Sequence, residues 1–141
     1  RDGLTGVSAR ASGVPHICAR VFPTDILLAM KMITAYIRPI VQDEVVERLR
    51  TMEVPGASLS EVDGFGREAD PEGGESYGPQ VSPYQRIVKL DVVCGDEEAA
   101  DIAKAIAKAA QTGRRGDGKV FILPVDQAID IRTQTTGASV I

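Results

Sequence analysis

The sequence is short of aromatic residues, histidine and cysteine, and each shortage narrows what the chain can be. It has no tryptophan and only 4% aromatic residues, so aliphatic side chains must fill the core. His16 is the single histidine, which argues against a histidine-based catalytic triad or a metal site with several histidines. Cys18 and Cys94 lie far apart and match no metal-binding or redox spacing. Cys94 ends an apolar run and is predicted to be a buried free thiol.

Long apolar runs and an excess of basic residues are also missing. No apolar stretch approaches the roughly 18–20 residues that span a bilayer, so cytoplasm is the default location. With 16 Lys and Arg against 20 Asp and Glu, the net charge is −4. This argues against a nucleic-acid partner, because such proteins usually carry a strong basic footprint. The length of 141 residues predicts one domain, and 43% apolar residues are enough for its core.

Residues 1–30 differ from the rest of the chain. They show no helical or strand periodicity and carry scattered Gly, Ser and Pro. We interpret them as an unstructured N-terminal extension or translated upstream sequence, with an organelle transit peptide as the alternative. The domain is predicted to comprise residues 31–141.

The periodic segments of the domain alternate between strand and helix. Strands are predicted at 32–39, 57–62, 84–94 and 120–125, and helices at 41–52 and 97–111. Asp96 is predicted to cap the second helix at its N-terminus. A turn or short helix at 126–129 and a last short strand at 129–133 are expected to follow. The long segment 63–83 is rich in Gly, Pro and acidic residues, and loops of this length are usually functional or disordered.

The order strand-helix-strand, long loop, strand-helix-strand predicts a fold in the α+β class. It is the ferredoxin-like double βαβ sandwich, in which an antiparallel sheet carries two helices on one face. The other face of an aliphatic sheet must also be covered, so we expect the chain to self-associate.

The segment 112–121 concentrates glycine and positive charge. Its spacing Gly113-x-x-x-x-Gly118-Lys119 matches a phosphate-binding loop except at Val120, where that motif needs Ser or Thr to hold magnesium. The order is also inverted, because here a helix precedes the loop and a strand follows it. We therefore expect a loop that cradles phosphate without assembling a hydrolytic P-loop site. A surface turn with solvated charges is the alternative interpretation.

Several motifs together resemble the PII nitrogen-regulatory signalling family. Thr112-Gly-x-x-Gly-Asp-Gly-Lys-x-Phe121 resembles the nucleotide loop of that family, its B-loop (112–119). The similarity extends in register over residues 32–141 and includes Ile33–Pro39, Glu61-Val62-x-Gly64-Phe65-Gly66-Arg67 and Ile131-Arg132-Thr133. It implies a non-enzymatic homotrimer of ferredoxin-like subunits that binds ATP or ADP in the clefts between neighbours. It also implies a T-loop (about 66–84) that docks on a membrane transporter or a metabolic enzyme, and a C-loop (about 130–141).

The resemblance also implies roles for individual residues. Those expected to reach the phosphates are Arg67, Gly116, Asp117, Gly118 and Lys119, and Gly66 beside Arg67 is also expected in the nucleotide site. Those expected to line the adenine and ribose are Gly56, Ser58 and Val93. Arg132, from the C-loop of a neighbouring subunit, would close the site. Lysine and arginine suit this task because they neutralise polyphosphate while backbone amides saturate its oxygens.

Four positions depart from the family pattern. Glu68 stands where a glutamine usually helps to hold magnesium and 2-oxoglutarate, and it is the one candidate Mg²⁺ ligand. Ile87 replaces a lysine expected to pair with 2-oxoglutarate, and Asp130 replaces the first arginine of the C-loop. Gln80 falls where some members carry a uridylylated tyrosine. Tyr77 and Tyr84 lie nearby but out of register, so they are weak modification candidates.

These departures argue against standard 2-oxoglutarate sensing and uridylylation, while the residues for nucleotide binding remain. Restoring an arginine at position 130 is expected to strengthen binding of ATP more than that of AMP. Three alternatives stay open. One is a carboxysome- or bicarbonate-associated sensor of ADP or AMP, with bicarbonate as effector. Another is a small nucleotide-hydrolysing enzyme that uses Asp117 or Glu68 as base. The third is a structural trimer with a degenerate site.

Overall fold

The computed structural model describes residues 29–66 and 84–141. Its elements are β1 (Met30–Ile37), α1 (Gln42–Thr51), β2 (Ser58–Gly64), β3 (Gln85–Gly95), α2 (Asp96–Ala110) and β4 (Gly118–Val125), with short 3-10 helices at Pro39–Val41 and Ala138–Val140. The predicted ferredoxin-like order of strands and helices is confirmed.

The four strands form one antiparallel sheet in the order β2-β3-β1-β4. At one end of the sheet, Ile37 pairs with Val88 of β3 and Gly118 of β4; we call this the Ile37 end. At the other end, Met30 pairs with Gly95 and Val125, and this is the Met30 end. The B-loop leads into β4 at Gly118, so it lies at the Ile37 end. The connection between β2 and β3 leaves the sheet at that end too.

Both helices pack on one face of the sheet, where the core lies. Alternation along β1 places Ile33, Ala35 and Ile37 on this face, because successive side chains of a strand point to opposite sides. Their buried partners on β3, α1 and α2 are Val88, Leu90, Val92, Cys94, Val45, Leu49, Ala99, Ile102 and Ile106. Aliphatic burial therefore drives the fold, as the shortage of aromatics predicts.

Cys94 is part of this core and is a free thiol with 1% of its surface exposed, which confirms the prediction. Burial, together with the nearby acidic groups of Glu98 and Glu97, raises the pKa of the thiol. A raised thiol pKa leaves little thiolate, so Cys94 is a packing residue and not a nucleophile.

Two predicted details at the Met30 end are wrong. Gly95, not Asp96, is the N-cap of α2, and Asp96 is the first helical residue. The backbone N–H of Asp96 donates to the carbonyl of Ala29 at 2.8 Å, and its carboxylate lies 3.5 Å from Lys31 Nζ. Strand β1 also starts at Met30, earlier than predicted, because β3 and β4 both extend far enough to pair with it.

The strand predicted at 129–133 is also wrong. Ile129 makes only an isolated bridge with Thr136, and residues 131–133 form a turn between them. Residues 126–128 have no regular structure, so the turn or short helix expected there is not helical.

The second face of the sheet, called here the open face, carries no helix among the described residues. It mixes apolar side chains with a polar cluster. The Thr34 hydroxyl donates to Asp91 at 2.6 Å, and Lys89 Nζ lies 2.9 Å from the same carboxylate. Burial raises the pKa of Asp91, but these two partners outweigh it and the net pKa is lowered. Phe121 and Leu123 of β4 stay 47% and 43% exposed on this face.

No helix within the described residues is long and apolar enough to cross a membrane.

Candidate functional site

The glycine-rich loop between α2 and β4 has a backbone shape that depends on glycine. Gly113, Gly116 and Gly118 have φ angles of 79°, 90° and 105°. These values lie in the region that L side chains rarely adopt. Gly116 and Gly118 flank Asp117 with positive φ, and alternation of this kind is typical of backbone segments that bind anions.

Gly118 is needed for a second reason, because it lies directly against β1. A Cβ atom at this position would sit 1.8 Å from the carbonyl oxygen of Tyr36. Only glycine lets β4 begin this close to β1, and this fixes where the loop ends.

The side chain of Asp117 joins the end of the loop to its start. Its carboxylate accepts hydrogen bonds from the backbone N–H groups of Thr112 at 2.8 Å and Gly113 at 2.9 Å, and from the Thr112 hydroxyl. The Thr112 hydroxyl, these two amides and nearby Arg38 lower the pKa of Asp117. The carboxylate thus faces the loop's own backbone. A contact between Asp117 and phosphate remains a prediction, and it would have to use the backbone N–H.

Arg38 is a residue of this site that the sequence analysis missed. It follows β1, and its Nε lies 3.2 Å from the Asp117 carboxylate, while its Nη2 donates to the carbonyl of Arg115. Arg38 is 79 residues from Asp117 in sequence. No local motif could reveal the pair; only the pairing of Ile37 with Gly118 brings them together.

Ser58 of the predicted adenine group and Lys119 of the predicted phosphate group lie on opposite edge strands of the sheet, and Val93 lies on the inner strand β3. Gly118 and Lys119 start β4, and Lys119 is exposed beside Tyr36. Ser58 starts β2 and pairs with Asp91, which places it diagonal to Val93 on the open face. Three strand spacings separate β2 from β4, about 14 Å. One subunit therefore does not gather both groups into one pocket.

Arg132 also lies apart from the B-loop. It follows β4 at the Met30 end, whereas the B-loop precedes β4, and an eight-residue strand is about 23 Å long. The C-terminal segment lies beside the open face there and borders an open groove of about 680 Å³ together with Met32 and Val93. That Arg132 serves a neighbouring subunit remains a prediction.

Asp130 organises the turn that carries Arg132. Its carboxylate accepts hydrogen bonds from the Thr133 N–H at 2.7 Å and the Thr133 hydroxyl at 2.9 Å. Gln134 N–H closes the turn onto the carbonyl of Asp130 at 2.8 Å. The backbone and side chain of Thr133, with the backbone of Arg132, lower the pKa of Asp130. Its carboxylate is thus engaged within its own turn.

The base of the predicted T-loop is only partly described. Phe65 and Tyr84 flank it and stack edge to face, with ring centroids 6.1 Å apart. Gly66 is exposed and is the last described residue before the gap. Arg67, Glu68, Tyr77 and Gln80 lie outside the described residues. Within the described ranges, no cluster of three or more His, Cys, Asp or Glu could hold a metal ion.

The fold and the loop define a ferredoxin-like α+β domain with a preformed glycine-rich loop at one end of its sheet. A family model described as nitrogen regulatory protein P-II matches residues 30–135. The chain therefore belongs to the P-II family of nitrogen regulatory proteins, which confirms the resemblance seen in its motifs.

Individual relatives agree with this assignment. The nitrogen regulatory protein P-II of Rhizobium meliloti (strain 1021) is 41% identical over 112 residues, covering 79% of this chain and 100% of that protein. The nitrogen regulatory protein GlnK of Escherichia coli (strain K12) is 36% identical over 107 residues, covering 74% and 93%. Among solved structures, Arabidopsis thaliana PII bound to citrate is similar with a TM-score of 0.64 and 27% identity, covering 79% of this chain and 91% of that one.

Proposed function

We propose that this chain is a signalling protein that binds ATP or ADP between the subunits of a homotrimer. Nucleotide occupancy would change the conformation of the T-loop, which regulates a membrane transporter or a metabolic enzyme. A ligand shifts such an equilibrium only by its different affinity for the two loop states.

One observation carries the proposal, namely the B-loop that is already shaped for an anion. Three glycines give the loop its positive-φ backbone, and hydrogen bonds to Asp117 hold that backbone in place. The exposed cation Lys119 lies at the end of the loop. Such a loop binds polyphosphate through fixed amides and a charge-assisted contact with lysine.

The separation of the predicted binding residues supports a site between subunits. The B-loop lies at the Ile37 end of the sheet, and Ser58 lies on the edge strand opposite β4. Val93 and Arg132 border one groove at the Met30 end, so the predicted binding residues lie at separate borders of one chain. A cleft between neighbouring subunits brings such borders together without changing the fold. The exposed Phe121 and Leu123 on the open face supply apolar area for the contact.

The same geometry disfavours the hydrolytic enzyme. A general base must accept a proton readily near neutral pH. Asp117 has a lowered pKa and its carboxylate is occupied by Thr112, Gly113 and Arg38. Val120 supplies no hydroxyl for magnesium at the position where a P-loop has one.

The test is calorimetry with ATP on the wild type and on Lys119→Ala, with turnover measured separately. We expect at least tenfold weaker binding in the variant, because a lost charge-assisted bond costs roughly 1.5–3 kcal/mol. Lys104→Ala, which removes an exposed lysine on α2, is the matched control and should bind as the wild type does. Unchanged ATP affinity in Lys119→Ala would remove the nucleotide-loop assignment, and ATP turnover by the wild type would favour the enzyme.

A sensor of ADP or AMP is the second candidate, and Asp130 favours it. Its carboxylate lies two residues from Arg132, so a ligand with fewer phosphate charges meets less repulsion there. Calorimetry should therefore include ADP, AMP, 2-oxoglutarate and bicarbonate. Citrate belongs in the same series, because the similar Arabidopsis PII structure contains it.

A further inference from the structure

Arg38 holds the B-loop from outside the loop. Its guanidinium uses two different nitrogens: Nε lies 3.2 Å from Oδ1 of Asp117, and Nη2 donates to the carbonyl of Arg115. The side chains of Arg38 and Asp117 are only 18% and 24% exposed. Because this ion pair is partly buried, solvent screens it less than it screens an exposed pair.

The Asp117 carboxylate links Arg38 to the rest of the loop through hydrogen bonds. Oδ1 accepts from Arg38 and the Thr112 hydroxyl, while Oδ2 accepts from the backbone N–H groups of Thr112 and Gly113. One carboxylate thus joins the start of the loop to its end. Arg38 joins that carboxylate to β1 and so anchors the loop to the centre of the sheet.

We propose that Arg38 is a positioning residue that orders the B-loop before a nucleotide arrives. The inference rests on the proposed nucleotide function. Glycine-rich segments lose much conformational freedom when they are fixed. A loop that is already fixed loses less freedom on binding, which strengthens affinity without a new ligand contact. ATP affinity therefore depends on Arg38 through the shape of the loop.

The experiment compares Arg38→Gln and Arg38→Lys with the control Arg50→Gln. Arg50 lies on α1, and its pair with Glu47 is 3.9 Å apart, with both side chains at least 69% exposed. The control removes the same charge from an exposed pair. Two readouts are used: ATP affinity by calorimetry, and hydrogen exchange of the Thr112 and Gly113 amides by NMR in the free protein.

Arg38→Gln should weaken ATP binding about five- to tenfold, because the loop must then lose, on binding, the freedom of about one more backbone residue. It should also speed exchange of both amides, because Asp117 loses its anchor. Arg38→Lys should recover part of both effects, since a lysine keeps the charge beside Asp117 but cannot donate to two acceptors through a planar fork. Arg50→Gln should change neither.

Unchanged amide exchange and unchanged ATP affinity in Arg38→Gln would overturn the inference. If the wild type binds no ATP but Arg38→Gln still speeds exchange, the positioning role stands and the nucleotide function fails. Should Arg38→Gln not fold, Asp117→Asn replaces it, because the amide oxygen can still accept from the Thr112 and Gly113 N–H groups while the amide nitrogen cannot accept from Arg38. Normal amide exchange and ATP affinity in Asp117→Asn would equally overturn the inference.

Discussion

Asp117 and Asp130 show how half-buried carboxylates serve local structure. Each accepts backbone N–H and threonine hydroxyl groups within five residues of itself. These bonds favour the charged form and lower both pKa values. A group with a lowered pKa contributes its stabilisation above its unfolded pKa and loses it as pH falls through the folded value. Both turns should therefore persist at neutral pH.

Because Asp130 accepts hydrogen bonds from Thr133, a substitution at position 130 must separate the loss of charge from the loss of those bonds. Asp130→Arg would add a cation but also remove the acceptor of the Thr133 bonds, so its effect on ATP would combine two causes. Asp130→Asn keeps an acceptor oxygen and removes only the charge, whereas Asp130→Ala removes both.

We expect Asp130→Ala to bind ATP several-fold more weakly than Asp130→Asn, because the turn that presents Arg132 loses its hydrogen bonds, each contributing roughly 1 kcal/mol. Asp130→Asn should favour ATP over AMP relative to the wild type, since a like charge near the outer phosphates is gone. Calorimetry with both ligands measures the two effects. Equal ATP affinity in Asp130→Asn and Asp130→Ala would show that the turn does not position Arg132.

At the scale of elements, the start of β4 depends on one close approach to β1. Gly118 combines a φ of 105° with a backbone carbonyl only 1.8 Å from where a Cβ would lie. Backbone atoms cannot rotate away as a side chain can. A substitution there must therefore push the start of β4, and the B-loop with it, away from the sheet.

Gly118→Ala should lower the free energy of unfolding by more than about 2 kcal/mol, because strain at positive φ and backbone overlap add together. Gly56→Ala is the matched control, since a Cβ added at Gly56 would have no atom within 4 Å and the φ of this residue is not positive. Its unfolding should change little. Chemical denaturation measures both variants, and equal stability would mean that β4 does not begin against Tyr36.

At the scale of the whole molecule, the open face is the face of the sheet that no described helix covers, and the proposed trimer would use it. Along β4, Ile122 pairs with Ile33 and so lies on the helix side, while Leu123 pairs with Met32 on the open face. The two side chains are 47% and 43% exposed, so they differ in face and hardly in exposure. This makes them a matched pair for testing self-association.

Leu123→Glu should break the proposed trimer, because a charge buried in an apolar contact is costly unless it is paired. Light scattering after size exclusion should then give a lower mass than for the wild type. Ile122→Glu should keep the mass of the wild type. If both variants retain that mass, subunits do not meet through the open face.

The fold and the position of the loop could be predicted from the sequence alone. Periodicity depends on neighbours a few residues apart, so the spacing of aliphatic residues was enough to place α1, α2 and the four strands. The glycines of the B-loop were visible for the same reason, since their conformational freedom is a property of the residue.

Which side chains meet was settled by the tertiary structure. The register of β1 with β4 joins Arg38 to Asp117 across 79 residues. The partnership of Asp96 with Ala29 and Lys31 overrode a good local capping signal, and the Asp130 turn replaced a predicted strand. Hydrogen bonds and ion pairs act only over a few ångströms. These contacts therefore depend on where segments that are distant in sequence come to lie, and no local sequence pattern encodes that.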